Sequence, residues 1–423
     1  MSSHLNYHGK VIAVSYLVGE RLIRLFVGFF IHAWMARSLS PGDFGFISYV
    51  VKGVAVYYTF GLFGSDEIVI REFLSRKVEN KKDVLKTVFY MRFGIGLFGL
   101  VLMSLISGVV SGFGTELWLW MLIFGCTIPF QAFTVYELPF ISEMKMKPVF
   151  YARNGSYFVG VTAKVFGLIR QFQKNSFVFI YILEELSWKI FVYVLALKND
   201  FVGGNFSKPI FDIIWRSGFL NLLAGFIILF DQRVPFLMLD YLGHFSLIGQ
   251  YSVAIALLDI ALLIPISLAS ALFPSVAQGK MESQESYEFH RQVLANWLVW
   301  AGLAFALSVY FTSPLIVKFL YGDKYIEVIP FLKGISFSAI LSSFNVGRFK
   351  WFVLEDRLVE WIQLISLGLG IQAICLYIFI PLYGLQGVIF SCLAGQIMPN
   401  LIFVRRRIVR ESIYIFFKSF KFK

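Results

Sequence analysis

Residues 15–30 read SYLVGERLIRLFVGFF. Thirteen of these sixteen residues suit a helix in hydrocarbon, while Glu20, Arg21 and Arg24 lie at its centre. One charge there costs about 2.5–3.5 kcal/mol on the insertion scale, against a gain of about 0.3–0.6 kcal/mol for each large apolar residue. At a helical repeat, the three charges fall within a sector of about 100°, shared with Lys10, Ala13, Leu17 and Gly28. Val18, Leu22, Leu25 and Phe29 take the opposite side. The span is amphipathic inside a membrane, so its polar face must meet water or protein.

The rest of the chain agrees with a membrane setting. It has 423 residues, is 58% hydrophobic and 15% charged, and contains 48 Phe. Its mean hydropathy is +0.73. A soluble domain of that composition would expose far too much apolar surface. Crossing a hydrocarbon layer of about 30 Å takes roughly 20 helical residues, and runs of that length recur throughout. The fold class expected is all-α: a polytopic protein of about 12 transmembrane helices in two six-helix bundles. The spans are 11–36, 43–64, 84–110, 115–140, 149–170, 175–197, 209–230, 245–277, 288–319, 328–353, 358–381 and 384–404. Residues 1–200 form the first bundle, 201–404 the second, and 405–423 a basic tail. No cleavable leader precedes the first span, which reads as a signal anchor.

Charge asymmetry orients these spans. With the N-terminus inside, the inner segments hold about 24 of the 38 Lys and Arg, including Arg71–Lys86, Arg153, Arg348 and the tail. The outer segments hold roughly six, among them Arg37, Arg170 and Lys318. Both termini are expected on the cytoplasmic side. The tail RRRIVRESIYIFFKSFKFK mixes cations with aromatics, which next to a last span marks a segment on anionic headgroups rather than a nucleic-acid site.

The chain also repeats itself. LSPGDFGFISYV (39–50) and LGHFSLIGQYSV (242–253) each follow a long helix, with Gly45 and Gly249, and Ser48 and Ser252, in register about 204 residues apart. Both turns follow the first helix of a six-helix unit, which implies a parallel repeat about the membrane normal.

Further along, ARSLSPGDFGFISYV, GSDEIVIREFLSRK, FDQRVPFLMLDYLGHFSLIGQYSVA, FLYGDKYIEVIPFL and IPLYGLQGVIFS resemble, in order, the polysaccharide-repeat flippases. These are the Wzx-type O-antigen transporters of the multidrug/oligosaccharidyl-lipid/polysaccharide exporter (MOP) superfamily. The resemblance runs from Ala36 to Ser391. It implies two bundles around a lumen that passes an undecaprenyl-pyrophosphate-linked oligosaccharide from the cytoplasmic to the outer leaflet of a bacterial inner membrane by alternating access. It further implies an H+ or Na+ coupling ion and, as partners, a polysaccharide polymerase and chain-length proteins.

Embedded charges are then the candidate site. Glu20 with Arg24, Glu185 with Lys189, and Asp212 with Arg216 are each four apart, acid first, the favourable order on a helix. Lys52, Arg92, Lys164 and Lys333 stand as lone cations, and Asp259 as an isolated acid. Arg21, Arg24, Lys52, Arg92, Lys164, Lys189, Arg216 and Lys333 suit an anionic pyrophosphate, since guanidinium grips oxygens in a bidentate way. Glu20, Glu185 and Asp259 suit coupling or gating. The alternative is that these pairs only staple helices. Pro129, Pro265 and Pro399 fall in spans and can kink them.

Other chemistry finds little support. Cys126, Cys375 and Cys392 lie in apolar runs, and the five histidines lack ligand spacing, so neither a metal nor a cofactor is called for. GIGLFG (94–99) matches a dinucleotide fingerprint but lies in a span with no strand before it. Close helix packing explains it better. A polymerase or glycosyltransferase would be expected to carry a sizeable outer loop, and every loop here is short. A drug or metabolite exporter of the same superfamily is the nearest alternative to the flippase, and a scaffold would scatter its charges over all faces.

Overall fold

The computed structural model describes residues 19, 23–74, 80–143, 145–231, 233–242 and 245–420. Glu20 and Arg21 lie outside them. The described chain is helical throughout and falls into two compact units, Met1–Arg233 and Val234–Lys423.

The first unit begins with α1 (23–38) and α2 (Pro41–Leu62). Ser40 caps α2: its hydroxyl accepts from the Asp43 amide, and Pro41 occupies the first turn, where no amide proton is needed. The short α3 (Asp66–Leu74) precedes α4 (Lys81–Ser111), capped by Asn80. The next span is broken. After α5 (Glu116–Gly125) comes the one-turn α6 (Thr127–Phe130), a 3-10 stretch (Gln131–Glu137) and α7 (Leu138–Ser142). Pro129 and Pro139 each withhold an amide donor here, which accounts for the loss of regular α geometry. The unit closes with α8 (Met146–Ile169), α9 (Lys174–Lys198) and α10 (Lys208–Asp231).

Two glycines let α4 approach its neighbours, Gly96 at this break and Gly99 at α2. A Cβ at Gly96 would lie 2.7 Å from the Pro129 Cα, and one at Gly99 would lie 2.6 Å from the Phe60 Cβ. The GIGLFG run is therefore a packing motif, as its position in a span implied.

The first compact unit takes in α10 as well as the helices before residue 200. The segment leading into α10 is tied to α4, with the Asn205 amide donating to Asp83 and the Ser207 amide to Thr87. Asn221 of α10 donates to the Gly64 carbonyl at the end of α2. α10 is itself bent by 43° between Lys208–Arg216 and Asn221–Asp231.

The second unit contains α11 (Val234–Tyr241), α12 (Phe245–Ala261), α13 (Leu263–Glu282) and α14 (Gln284–Ile316). A π turn (Val317–Tyr321) and a 3-10 turn (Asp323–Tyr325) lead to α15 (Val328–Ile335) and α16 (Ser338–Leu354). Then come α17 (Leu358–Tyr383), α18 (Leu385–Ile402) and α19 (Arg407–Lys418). The repeated serines occupy the same kind of position in each unit: Ser48 and Ser252 are both buried.

The basic tail forms a helix with one face on protein. Ile408, Val409 and Ile415 of α19 are buried against the second unit, packed near Trp351 and Trp361, while Tyr414 and Phe417 stay exposed. An amphipathic helix covers whichever apolar face is nearest, and here that face is protein. Arg291 fixes it through Glu411, 3.1 Å away.

Among the described residues, eight helices or helix pairs are long and apolar enough to cross a membrane, or nine if the bent α10 counts as one span. The chain is a multi-pass membrane protein. α8 and α9 have 24 and 25 residues, length enough to cross, but each carries charges in its interior.

Candidate functional site

Those charges meet one another. In the first unit, α8 and α9 pack side by side, with α1, α2 and the broken span around them. Two tiers of polar side chains form there.

The first tier centres on Glu137, at the end of the 3-10 stretch and 1% exposed. Arg153 of α8 donates to it from Nη2 at 2.5 Å and from Nε at 3.1 Å, and Trp188 of α9 donates its indole N–H at 2.7 Å. Three donors to one carboxylate leave a buried charge well satisfied. Arg24 of α1 joins by donating to the Arg153 carbonyl at 2.8 Å, while the Tyr157 hydroxyl donates back to the Arg24 carbonyl at 3.1 Å. Lys189 and Glu185 form an ion pair along α9, and Gln131 of the broken span reaches Glu185 at 3.5 Å. The Lys189 ammonium lies 4.1 Å from the centre of the Trp188 ring.

The second tier lies about 16 Å further along α8, eleven residues from Arg153 at 1.5 Å per residue. Lys164 donates to Glu184 at 2.5 Å and sits 3.7 Å over the Tyr181 ring. His32 of α1 is packed edge-on against Phe44, within electrostatic reach of Lys52 and Lys164. Between the tiers, Tyr58 and Thr127 share a hydrogen bond of 3.0 Å.

Arg24, Lys52, Lys164, Lys189 and Glu185 are thus brought into one unit and one network. With Arg153, Glu137 and Glu184 the network has, among the described residues, five cations and three carboxylates, an excess of positive charge within helices that cross or line a membrane. Such a network can hold an anion, or exchange a proton or cation at its carboxylates.

Other candidates lie elsewhere. Arg92 is fully buried on α4, donating to Asp66 at 2.6 Å, to Ser65 at 2.7 Å and to Thr134 at 3.4 Å. It staples α3 to α4. Sequence spacing presents Arg92 and Lys164 as lone cations, but each has a carboxylate on another element, which no i,i+4 rule can reveal. Asp212 and Arg216 are both exposed on α10, and no ion pair joins them. In the second unit, Lys333 of α15 lies 5.1 Å from the Tyr310 ring centre, and Asp259 of α12 is exposed.

Sequence reasoning missed Glu137, Arg153 and Trp188. Arg153 follows the basic stretch MKMK and counts there as an inner-loop cation, yet it sits two turns inside α8. Glu137 is an acid inside an apolar run, and that alone was the signal available. Among the described residues no group of three His, Cys, Asp or Glu side chains is placed to hold a metal ion.

The fold and sequence have relatives. The profile of a family described as "Polysaccharide biosynthesis protein" matches residues 34–330. No curated protein matches the chain. An inward-facing multidrug resistance MATE family transporter of the MOP superfamily is similar at a TM-score of 0.71 and 15% identity, covering 96% of this chain and 97% of that one. The lipid II flippase MurJ, in an inward closed conformation, is similar at a TM-score of 0.75 and 12% identity, covering 96% and 90%. A eukaryotic MATE transporter is similar at 0.62 and 13%, covering 97% and 99%.

Proposed function

The chain belongs to the polysaccharide biosynthesis protein family and has the fold of the MOP-superfamily transporters, and from this premise we propose that it is a flippase, not an enzyme. Its cargo is an undecaprenyl-pyrophosphate-linked oligosaccharide repeat unit, of an O-antigen or related polysaccharide. It moves that cargo from the cytoplasmic to the outer leaflet of a bacterial inner membrane by alternating access, with both termini cytoplasmic.

The observation that carries this reading is the net-positive network inside the first unit. A drug cation would be repelled by it, whereas a pyrophosphate is attracted, and the family match favours the saccharide carrier over the multidrug exporter. Within it, Arg24, Lys52, Lys164 and Lys189 are the cations we assign to the phosphates; Arg21, outside the described residues, is assigned with them from its sequence position alone. Glu185 and Glu184 hold two of those lysines in the empty carrier. An arriving pyrophosphate would compete for the ammonium groups, and the displaced carboxylates could then take up a proton or Na+, which couples cargo to ion.

The twelve-helix reading enters here too. Counting α1, the broken span α5–α7, and charged α8 and α9 with the apolar spans gives six crossings before residue 200 and six after it. In each half the repeated Gly and Ser follow the first helix.

The test is reconstitution. Purified protein in liposomes should move a lipid-linked oligosaccharide between leaflets without altering its covalent structure. Arg24→Ala should abolish movement at normal protein level, and Arg24→Lys should keep part of it, because charge survives without the guanidinium fork. A lengthened glycan, or full transport by Arg24→Ala, would overturn the proposal.

A further inference from the structure

The first unit contains a groove that shares only Lys189 with the polar network. It has a volume of about 610 Å³ and is bounded by α4, the broken span, α9 and the segment after α9. Its walls are aromatic: Phe89 and Tyr90 from α4, Phe133 and Tyr136 from the 3-10 stretch, and Tyr193 from α9. The rings hold one another, with Phe89 and Phe133 at 5.0 Å, Phe133 and Tyr193 at 5.4 Å, and Tyr136 and Tyr193 at 5.9 Å between centres. The volume is that of a site for one small molecule or one chain.

Each end of the groove carries a cation. Lys86 stands at the end where α4 begins and where Val202 and Gly203 close the wall. It is half-buried, and no ion pair or hydrogen bond engages its ammonium among the described residues. Lys189 lies at the deep end, about 13 Å from the end of α9 by helical rise, and is already paired with Glu185. The groove therefore offers an unengaged positive charge at its mouth, an apolar aromatic slot behind it, and a neutralised pair at its floor. Chemistry complementary to that order is an anionic head followed by a single apolar chain.

We propose that this groove binds one phosphorylated single-chain lipid, with the phosphate on Lys86 and the first segments of the chain along the aromatic rings. It rests on the carrier reading above, which supplies a prenyl-linked phosphate as the natural occupant. Branched, unsaturated chains present flat faces and many methyl groups, which fit between tilted rings at van der Waals distance better than a free-rotating saturated chain. A lipid held here by its proximal chain would have its phosphates beside the start of α4 and its chain running toward Lys189, a holding position distinct from the one in which the phosphates meet Lys189 and the network.

The experiment uses the full-length protein in detergent and farnesyl phosphate with a photoreactive diazirine at its far end. Labelling is mapped by peptide mass spectrometry. Labels are expected on the segments of Phe130–Tyr136 and Leu186–Tyr193. Unlabelled farnesyl phosphate should compete, while farnesol and sodium phosphate at the same concentration should not. Lys86→Glu should cut labelling on the order of tenfold, with thermal stability unchanged, and Lys86→Arg should restore it. Equal competition by farnesol would mean simple partitioning of bulk lipid, and competition by sodium phosphate would mean a headgroup site without a chain slot. Either result, labelling spread over other segments, or labelling indifferent to Lys86→Glu, overturns the proposal. Transport in liposomes separates the two ideas: labelling without transport removes the carrier reading alone, and transport by wild-type protein without groove labelling removes the groove alone.

Discussion

Changing Glu137 tests whether the first tier is a real energetic centre. The carboxylate is almost fully buried and accepts from both Arg153 nitrogens and from Trp188. Glu137→Ala leaves a guanidinium facing an apolar hole. Breaking a well-buried pair costs about 3–5 kcal/mol. Arg153 keeps a quarter of its side chain exposed, so water screens part of the loss and about 2–3 kcal/mol is the fair share. The stranded Trp188 N–H adds about 1 kcal/mol. The single variant should therefore lose about 3–4 kcal/mol of unfolding free energy, and Glu137→Gln about half of that, because the amide oxygen still accepts. Glu137→Leu with Arg153→Met should recover most of the loss, since neither charge is then stranded. Unfolding in mixed dodecylmaltoside and SDS micelles, followed by circular dichroism, reads these differences. A Glu137→Ala protein within about 0.5 kcal/mol of wild type, or a double variant no better than the single, would refute the reasoning.

Two further outcomes follow from other parts of the network and from the tail. Lys164→Ala and Glu184→Ala should each destabilise the first unit, and their combination should cost less than the sum, with a coupling of about 1–3 kcal/mol in a double-mutant cycle; strict additivity would dissolve the second tier. In the tail, burial alone would raise the Glu411 carboxyl, but hydrogen bonds from Arg407 and Arg291 outweigh it and hold the group below its usual 4.5. A depressed carboxyl contributes stability that is present above the unfolded value and lost as pH falls through the folded one. A spin label at Tyr414 should thus stay immobile at neutral pH and gain mobility below about pH 4.5. Glu411→Gln should mobilise it at neutral pH, and a label equally mobile at all pH values would show that α19 is not latched.

How much of this was legible in the sequence depended on whether the physics was local. α2 was expected at 43–64 and is found at Pro41–Leu62, because apolar length and the Ser40–Pro41 start are written in adjacent residues. The fourth span was expected as one helix over 115–140, and Pro129 warned of a kink, but the 3-10 stretch after it depends on packing against α4 and α9. The Glu185–Lys189 pair was readable at i,i+4, whereas Lys164–Glu184 and Arg92–Asp66 join residues 20 and 26 apart across different helices. Arg153 counts in the sequence as one more inner-segment cation, and only the tertiary placement of Glu137 shows why a cation belongs inside α8. The packing of α10 with the first unit is non-local for the same kind of reason: it is tied to α2 and α4 by Asn221, Asn205 and Ser207, none of which has a local cue.

The helices least suited to a membrane by themselves supply the site. α9 carries Glu184, Glu185 and Lys189 at its middle, and at about 2.5–3.5 kcal/mol each these charges offset much of what its apolar residues contribute. α8 has the matching deficit in Arg153 and Lys164. Side by side, the two cancel it: Lys164 meets Glu184, Lys189 meets Glu185, and Arg153 and Trp188 converge on Glu137. The network is then a condition for α8 and α9 to sit in the bilayer as well as a candidate site for cargo. Full neutralisation would satisfy the first requirement but leave nothing to attract an anion. Among the described residues, three carboxylates against five cations can meet both, since the pairs stabilise the helices and the group as a whole stays positive.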